Sequence, residues 1–255
     1  MKVVILAGGL GTRLAEETEV KPKPLVEIGD NPVLWHIMKI FASFGHKEFF
    51  VALGYKGDLI KRYFLDYHSL QRDMTLDLSK GVTTLSESEA EDWVLHLVDT
   101  GKGSMTGGRV RRLRKHLEGE AFLLTYGDGV SNVNIDELIR FHRSHGKLAT
   151  VTAVRPPARF GEILIGEDST AEFREKAQTG EGWINGGFMV LEPGIFDYLD
   201  DDASILEVDL LERLALEKQL VAFQHDGFWQ CMDTLRDKRQ LEALWDSGDP
   251  PWKVW

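Results

Sequence analysis

The apolar positions of this chain gather into short runs: KVVILA (2–7), EFFVALG (48–54), WVLHLV (93–98), AFLLTYG (121–127), ATVTAV (149–154) and GGFMVL (186–191). Several are continuous rather than alternating, the pattern of strands covered on both faces in a mostly parallel sheet. Helical spacing fills the intervals. Residues 31–44 (NPVLWHIMKIFASF) open with Asn31 as a cap and Pro32 at the first helical position, and Gly45 follows as a terminator. Ile135, Leu138, Ile139 and Phe141 recur at helical spacing within 134–145, ahead of Gly146; 204–217 and 234–245 are two later helices. RVRRLRKHL (109–117) reads as a basic helix whose first residue is Arg109. The alternation predicts an α/β fold, a doubly wound, mostly parallel sheet with inserted loops and small β extensions. Neither an internal repeat nor linker composition is present, so 1–255 is expected to form a single domain, with the polar stretch 79–92 as a mobile excursion.

Charge and cysteine content narrow the function classes. A net charge of −11 argues against wrapping a nucleic acid, whose partner surface is usually a basic stripe, so an anionic ligand must be met by a local positive site. Cys231 is the single cysteine, which excludes an intrachain disulfide. The apolar start is too short for a signal peptide, and no stretch approaches about 18 uninterrupted apolar residues. A cytoplasmic protein without a membrane partner is the expectation.

The candidate chemistry begins directly after the first strand, at LAGGLGTRL (6–14). Gly8, Gly9 and Gly11 let backbone amides approach an anion, Arg13 can fork onto two phosphate oxygens, and Thr12 can donate a hydroxyl. The stretch lacks the GK[ST] ending of an ATPase loop and the third glycine of the dinucleotide pattern. A tight turn with an incidental arginine stays open as the alternative. Next comes KPKP (21–24), a stiffened, extended segment that would hold a lysine ammonium at a defined place. YGDG (126–129) puts Asp128 at a strand's carboxyl end, suited to a metal beside a polyphosphate or simply to a turn. In WQCMDTLRD (229–237), Asp233 is either the cap of the following helix or a second metal ligand. Cys231 suits packing better than nucleophilic attack. His142 and His145 share a helix without partners to complete a metal set. FREKAQ (173–178) and WINGGFMVL (183–191) could together offer a carboxylate, a cation and exposed amides.

Taken in order, these segments resemble the sugar-1-phosphate nucleotidyltransferase family, which opens with LAGGxGTRL, continues with KPKP, and carries a strand ending in GD. An EKP motif, a GG-containing strand and a late metal-binding aspartate follow in the family. EETEVKPKPLVEIG (16–29), LWHIMK (34–39), LVDTGKGSMTGGR (97–109), GFWQCMDTLRDK (227–238) and PPWKVW (250–255) are most similar to its members acting on CTP and glucose 1-phosphate. One departure is plain: Ala177 follows Lys176 where the family has proline. The resemblance implies a Rossmann-like nucleotidyltransferase fold and in-line attack of glucose 1-phosphate on CTP, giving CDP-glucose and pyrophosphate with Mg²⁺. Another nucleotide or sugar phosphate, or a silent nucleotide-binding regulator, are the alternatives.

The resemblance also assigns roles. Leu6, Ala7, Gly8, Gly9, Gly11, Thr12 and Arg13 would hold the nucleotide. Arg13, Lys23 and Asp128 would be catalytic, with Lys23 neutralising charge at the α-phosphate. Asp128 and Asp233 would hold Mg²⁺. Ser104 and Arg109, in the second glycine-rich loop, would reach the nucleotide across a subunit boundary. Lys176 would bind the sugar's phosphate, with Glu175, Asn185 and Gly187 near its hydroxyls. A homo-oligomer, a hexamer, is implied as well.

Overall fold

The computed structural model describes residues 1–70, 73–86, 91–156, 162–165, 171–174 and 182–255; the side chains of 13, 15, 16, 85, 162–165 and 171–174 are outside that description. Its centre is a seven-stranded sheet. In chain order the strands are β1 Val3–Ala7, β2 Glu48–Leu53, β3 Val94–Asp99, β4 Phe122–Tyr126, β5 Ala149–Val154, β6 Ile184–Leu191 and β7 Leu220–His225. They lie side by side as β7-β5-β6-β4-β1-β2-β3. β1 runs parallel to β2 and β4, β2 to β3, and β5 to β7, whereas β6 runs against both β4 and β5. The sheet is therefore mostly parallel, with one reversed strand, and the six apolar runs are all in it.

Continuous apolar strands follow from cover on both faces. Val3, Ile5 and Ala7 join one core with Phe49, Val51, Phe188 and Val190. Val4 and Leu6 join the other with Phe50, Phe122, Leu124 and Met189. The first core packs beneath helices α1 Val33–Ser43, α2 Gly57–Leu70, α4 Ile135–His145 and α5 Leu235–Asp246. The second is covered by α3 Thr106–Arg112, the turn Arg114–Leu117 and the segment around Leu206–Leu214. Truncating one of the large core rings, such as Phe41 or Phe188, would cost roughly 3–5 kcal/mol.

Several element ends differ from the sequence reading. Asn31 does not cap α1: it pairs through the two-residue strand Asn31–Pro32 with Glu27–Ile28, and Pro32 takes the cap position without a side-chain bond. α4 matches its reading, since the Asn134 side chain accepts from the Glu137 amide and Gly146 closes it at φ +64°. The basic segment begins earlier than expected, so Arg109 lies inside α3 rather than at its start. The 204–217 helix divides into a π-helical segment Leu206–Glu212 and an α-turn Arg213–Leu216. Within 79–92, Val82–Leu85 is a strand paired with Met74–Asp77. β7, absent from the sequence reading, is an edge strand with half-exposed positions, too weakly apolar to stand out. Glu162–Ile165 pairs with Ala171–Arg174 beside the sheet.

Candidate active site

The glycine loop leaves the carboxyl end of β1, and the loops after β2, β3 and β4 open on the same edge because those strands are parallel. Sheets of this kind place ligands there. Leu6 and Ala7 are buried strand residues. Gly9 and Thr12 are exposed, while Gly8 is buried. Gly11 has φ +66°, and a Cβ there would meet the Thr18 side chain at 2.8 Å and Lys23 at 3.2 Å. The Thr18 hydroxyl secures the turn by donating to the Gly11 and Leu14 carbonyls. Arg13 falls within the turn Thr12–Leu14, but its side chain lies outside the described residues.

KPKP separates its two lysines. Lys21 turns to Glu27 at 3.2 Å, whereas Lys23 reaches inward. The segment is not extended throughout: Pro22 is (φ −66°, ψ 148°), but Lys23–Leu25 forms a 3₁₀ turn that contains Pro24. Lys23 Nζ donates at 2.6 Å to Asp128 Oδ2 and at 2.6 Å to Asp233 Oδ1. The side chains are 11%, 29% and 16% exposed, so this is a shielded cluster. Burial works to lower the Lys23 pKa, but the two carboxylates outweigh it and hold the ammonium above its ordinary value.

A small antiparallel pair brings the two aspartates together. Gly129–Ser131 aligns with Trp229–Cys231, and the Met232 amide donates to the Asp128 carbonyl at 2.8 Å. Asp233 is not the cap of α5. Thr234 is, in a reciprocal capping box with Asp237, which leaves the Asp233 carboxylate turned to Lys23. The Cys231 thiol lies nearby, pushed up to about 12 by burial and then by Asp128 and Asp233, which keeps it protonated and unsuited to attack.

The second glycine loop serves the first from beneath. Arg109 is 5% exposed, and its guanidinium donates to the carbonyls of Leu53, Gly101 and Gly8 and to the Thr100 hydroxyl. A Cβ at Gly8 would lie 2.2 Å from Arg109 Cζ, and one at Gly54 2.4 Å from its Nη1. Arg109 is thus a strut under the phosphate-type loop, with those donors spent inside the chain. Ser104 is likewise buried, donating to the Thr100 carbonyl at 2.6 Å. On the far side, Asn185 is exposed and accepts from the Gly187 amide at 2.9 Å. Gly187 has φ +84°, and a Cβ there would be 2.7 Å from the Tyr126 ring, so glycine suits the position on both counts. Glu175 and Lys176, with Ala177, lie outside the described residues. Tyr126, Gly54 and Glu207 were not singled out in the sequence; YGDG and ALGY carried the signal for the first two, while nothing local marked Glu207.

A loop of glycine amides beside a lysine held by two aspartates is an arrangement for polyphosphate and a cation. The nucleotidyl transferase family model matches residues 2–237. The chain belongs to the nucleotidyl transferase family. It is 51% identical over 256 residues to the glucose-1-phosphate cytidylyltransferase of Salmonella typhimurium, covering 100% of both chains. It is 42% identical, again over 100% of both, to a probable glucose-1-phosphate cytidylyltransferase of Bacillus subtilis. Among solved structures it is similar to HddC from Yersinia pseudotuberculosis, with a TM-score of 0.69, 24% identity, and coverage of 96% of this chain and 99% of that one. That likeness carries the fold. Nucleotidyl transferases generally use a divalent metal. Among the described residues no cluster of three or more His, Cys, Asp or Glu side chains forms a metal site, so an ion here would draw further oxygens from substrate and water. No described helix is long and apolar enough to cross a membrane.

Proposed function

We propose that the chain transfers a cytidylyl group from CTP to α-D-glucose 1-phosphate, releasing pyrophosphate and forming CDP-glucose. The observation that carries the reaction class is the meeting of Lys23, Asp128 and Asp233, drawn from positions 105 and 210 residues apart, beside Gly11. Base and sugar rest on the full-length relatives named above.

A phosphate oxygen of the sugar attacks the α-phosphorus in line, and the bond to pyrophosphate breaks. Nothing in this requires a covalent enzyme intermediate; positioning and charge neutralisation supply the catalysis. The amides of Gly8, Gly9 and Gly11, with Thr12 and Arg13, take the triphosphate. Lys23 neutralises the α-phosphate. Asp128 and Asp233 fit Mg²⁺, because they already converge on one cationic centre at 2.6 Å each, and phosphate and water oxygens complete the hard coordination it favours. When bound, Mg²⁺ supplies charge neutralisation to the phosphates. Asn185 and Gly187 take the sugar, together with Glu175 and Lys176. Ser104 and Arg109 of the second glycine-rich loop contact the nucleotide, and Arg109 also braces the first loop through the Gly8 carbonyl. A homo-oligomer fits the exposed apolar Leu76, Leu78 and Val82 of the 74–85 hairpin; light scattering tests it, and a hexamer is the expected size. Cytoplasmic placement accords with a supply of nucleoside triphosphate.

The test is pyrophosphate release with Mg²⁺ and glucose 1-phosphate across CTP, UTP, dTTP, ATP and GTP. A strong preference for CTP is expected. Preference for another nucleotide would overturn the base assignment, and silence with all five alongside tight nucleotide binding would favour a regulator.

A further inference from the structure

Tyr55 and Lys56, in the turn between β2 and α2, reach both ends of the first glycine loop. The Tyr55 amide donates to the Gly8 carbonyl at 3.2 Å, where the loop leaves β1. Lys56 Nζ donates to the Thr18 carbonyl at 3.2 Å and to the Glu19 carbonyl, where the closing turn Ala15–Thr18 ends. Between these anchors the Thr18 hydroxyl bonds back to the Gly11 and Leu14 carbonyls. Two adjacent residues therefore set the span of the segment Gly8–Glu19, and Thr12 and Arg13 lie within it. Lys238 holds the same closing turn from α5, donating to Glu17 Oε1 at 2.7 Å.

The backbone of Lys56 gives this contact its weight. It has φ +50°, in the left-handed region that glycine and asparagine enter at least cost. A lysine stands there instead, and its ammonium is spent on two carbonyls of the loop. Strain of this kind persists where the surrounding structure uses the side chain it carries.

We infer that Lys56 is a positioning residue for the triphosphate: through the Thr18 and Glu19 carbonyls it fixes the closing end of the glycine loop, and with it the backbone of Thr12 and Arg13. The inference rests on the proposed reading of that loop as the holder of the triphosphate. Without the ammonium the loop stays attached through Gly8 and Glu17, so the fold persists while the closing end is released. Amides that no longer converge on the phosphate oxygens bind them less well.

The experiment compares wild type with Lys56→Gly, Lys56→Asn and Lys56→Arg, reading the KM for each substrate, kcat and melting temperature. Glycine and asparagine both accept the left-handed backbone but carry no ammonium, so they separate the cation from the turn. Each should raise the KM for CTP about tenfold, as for loss of a charge-assisted hydrogen bond, while the KM for glucose 1-phosphate stays within about twofold. The melting temperature should not fall, because the strained backbone is relieved. Arginine keeps a cation in reach of the carbonyls and should hold the KM for CTP within about threefold of wild type. An unchanged KM for CTP in the first two variants, equal rises in both KM values, no rescue by arginine, or a lowered melting temperature would overturn the inference. A wild type inactive with every nucleotide would instead overturn the proposed function, so the two failures are distinguishable.

Discussion

Lys23 shows how much a single side chain can decide. Its ammonium stands between two carboxylates at 2.6 Å each, where a cation shared by Asp128 and Asp233 would sit. Replacing it with methionine removes the counter-charge and leaves two neighbouring carboxylates to seek another. Lys23→Met should therefore bind Mn²⁺ without nucleotide at least about tenfold more tightly than wild type, a gain of about 1.4 kcal/mol, read from the electron paramagnetic resonance of free Mn²⁺. Equal affinities would show that the aspartates are not a cation site. The same substitution should lower kcat by about a hundredfold or more if Lys23 stabilises charge in the transition state. Sequence reading reached Lys23, Asp128 and Asp233 because glycine, proline and acidic residues mark the turns that carry them. It did not reach Glu207, which has ordinary helical neighbours and meets the Tyr126 and Thr106 hydroxyls only across 81 and 101 residues.

Helix α5 separates two roles that share one stretch of sequence. Thr234 and Asp237 close its first turn, and Asp233 is free of that duty. Thr234→Ala should cost about 1 kcal/mol in denaturant unfolding. Asp233→Asn should barely change the unfolding midpoint and should raise the Mg²⁺ requirement; the opposite pattern would restore Asp233 as a structural cap. α1 offers a second test. His36 is fully buried, its Nε2 bonded to the Ile28 carbonyl at 2.9 Å and its ring edge-on to Trp35, Trp245 and Trp252. Burial lowers its pKa from 6.5 to about 4. The folded state thus binds this proton less readily than the unfolded chain, and stability rises with pH between those values. It should be complete above about pH 6.5 and decline toward about pH 4 by on the order of 3 kcal/mol. His46, lowered to about 4 as well, contributes over the same window, so the check is the difference from a His36→Phe variant. If that variant loses as much stability from pH 7 to pH 5 as wild type does, His36 is not the cause.

Across the whole molecule the site is an assembly of distant segments. The loop after β1, the turn after β4 and the approach to α5 meet only when the sheet and the small 129–131/229–231 pair are formed. Ligand binding should accordingly stabilise the chain as a unit. CTP with Mg²⁺ at about 100-fold over its dissociation constant should add about 2.7 kcal/mol to the unfolding free energy, read as a single shifted melting transition. An equal shift with UTP at the same concentration would place base discrimination after binding. The sequence by itself determined the α/β class, the six principal strands and the order of the phosphate-type motifs, because continuous apolar runs and glycine or proline turns are local signals of backbone geometry. Strand order, the reversal of β6, the burial of Arg109 beneath Gly8 and the meeting of Glu207 with Tyr126 and Thr106 were decided only by the tertiary structure. Those depend on which distant side chains come to share one shielded space, and no local pattern encodes that.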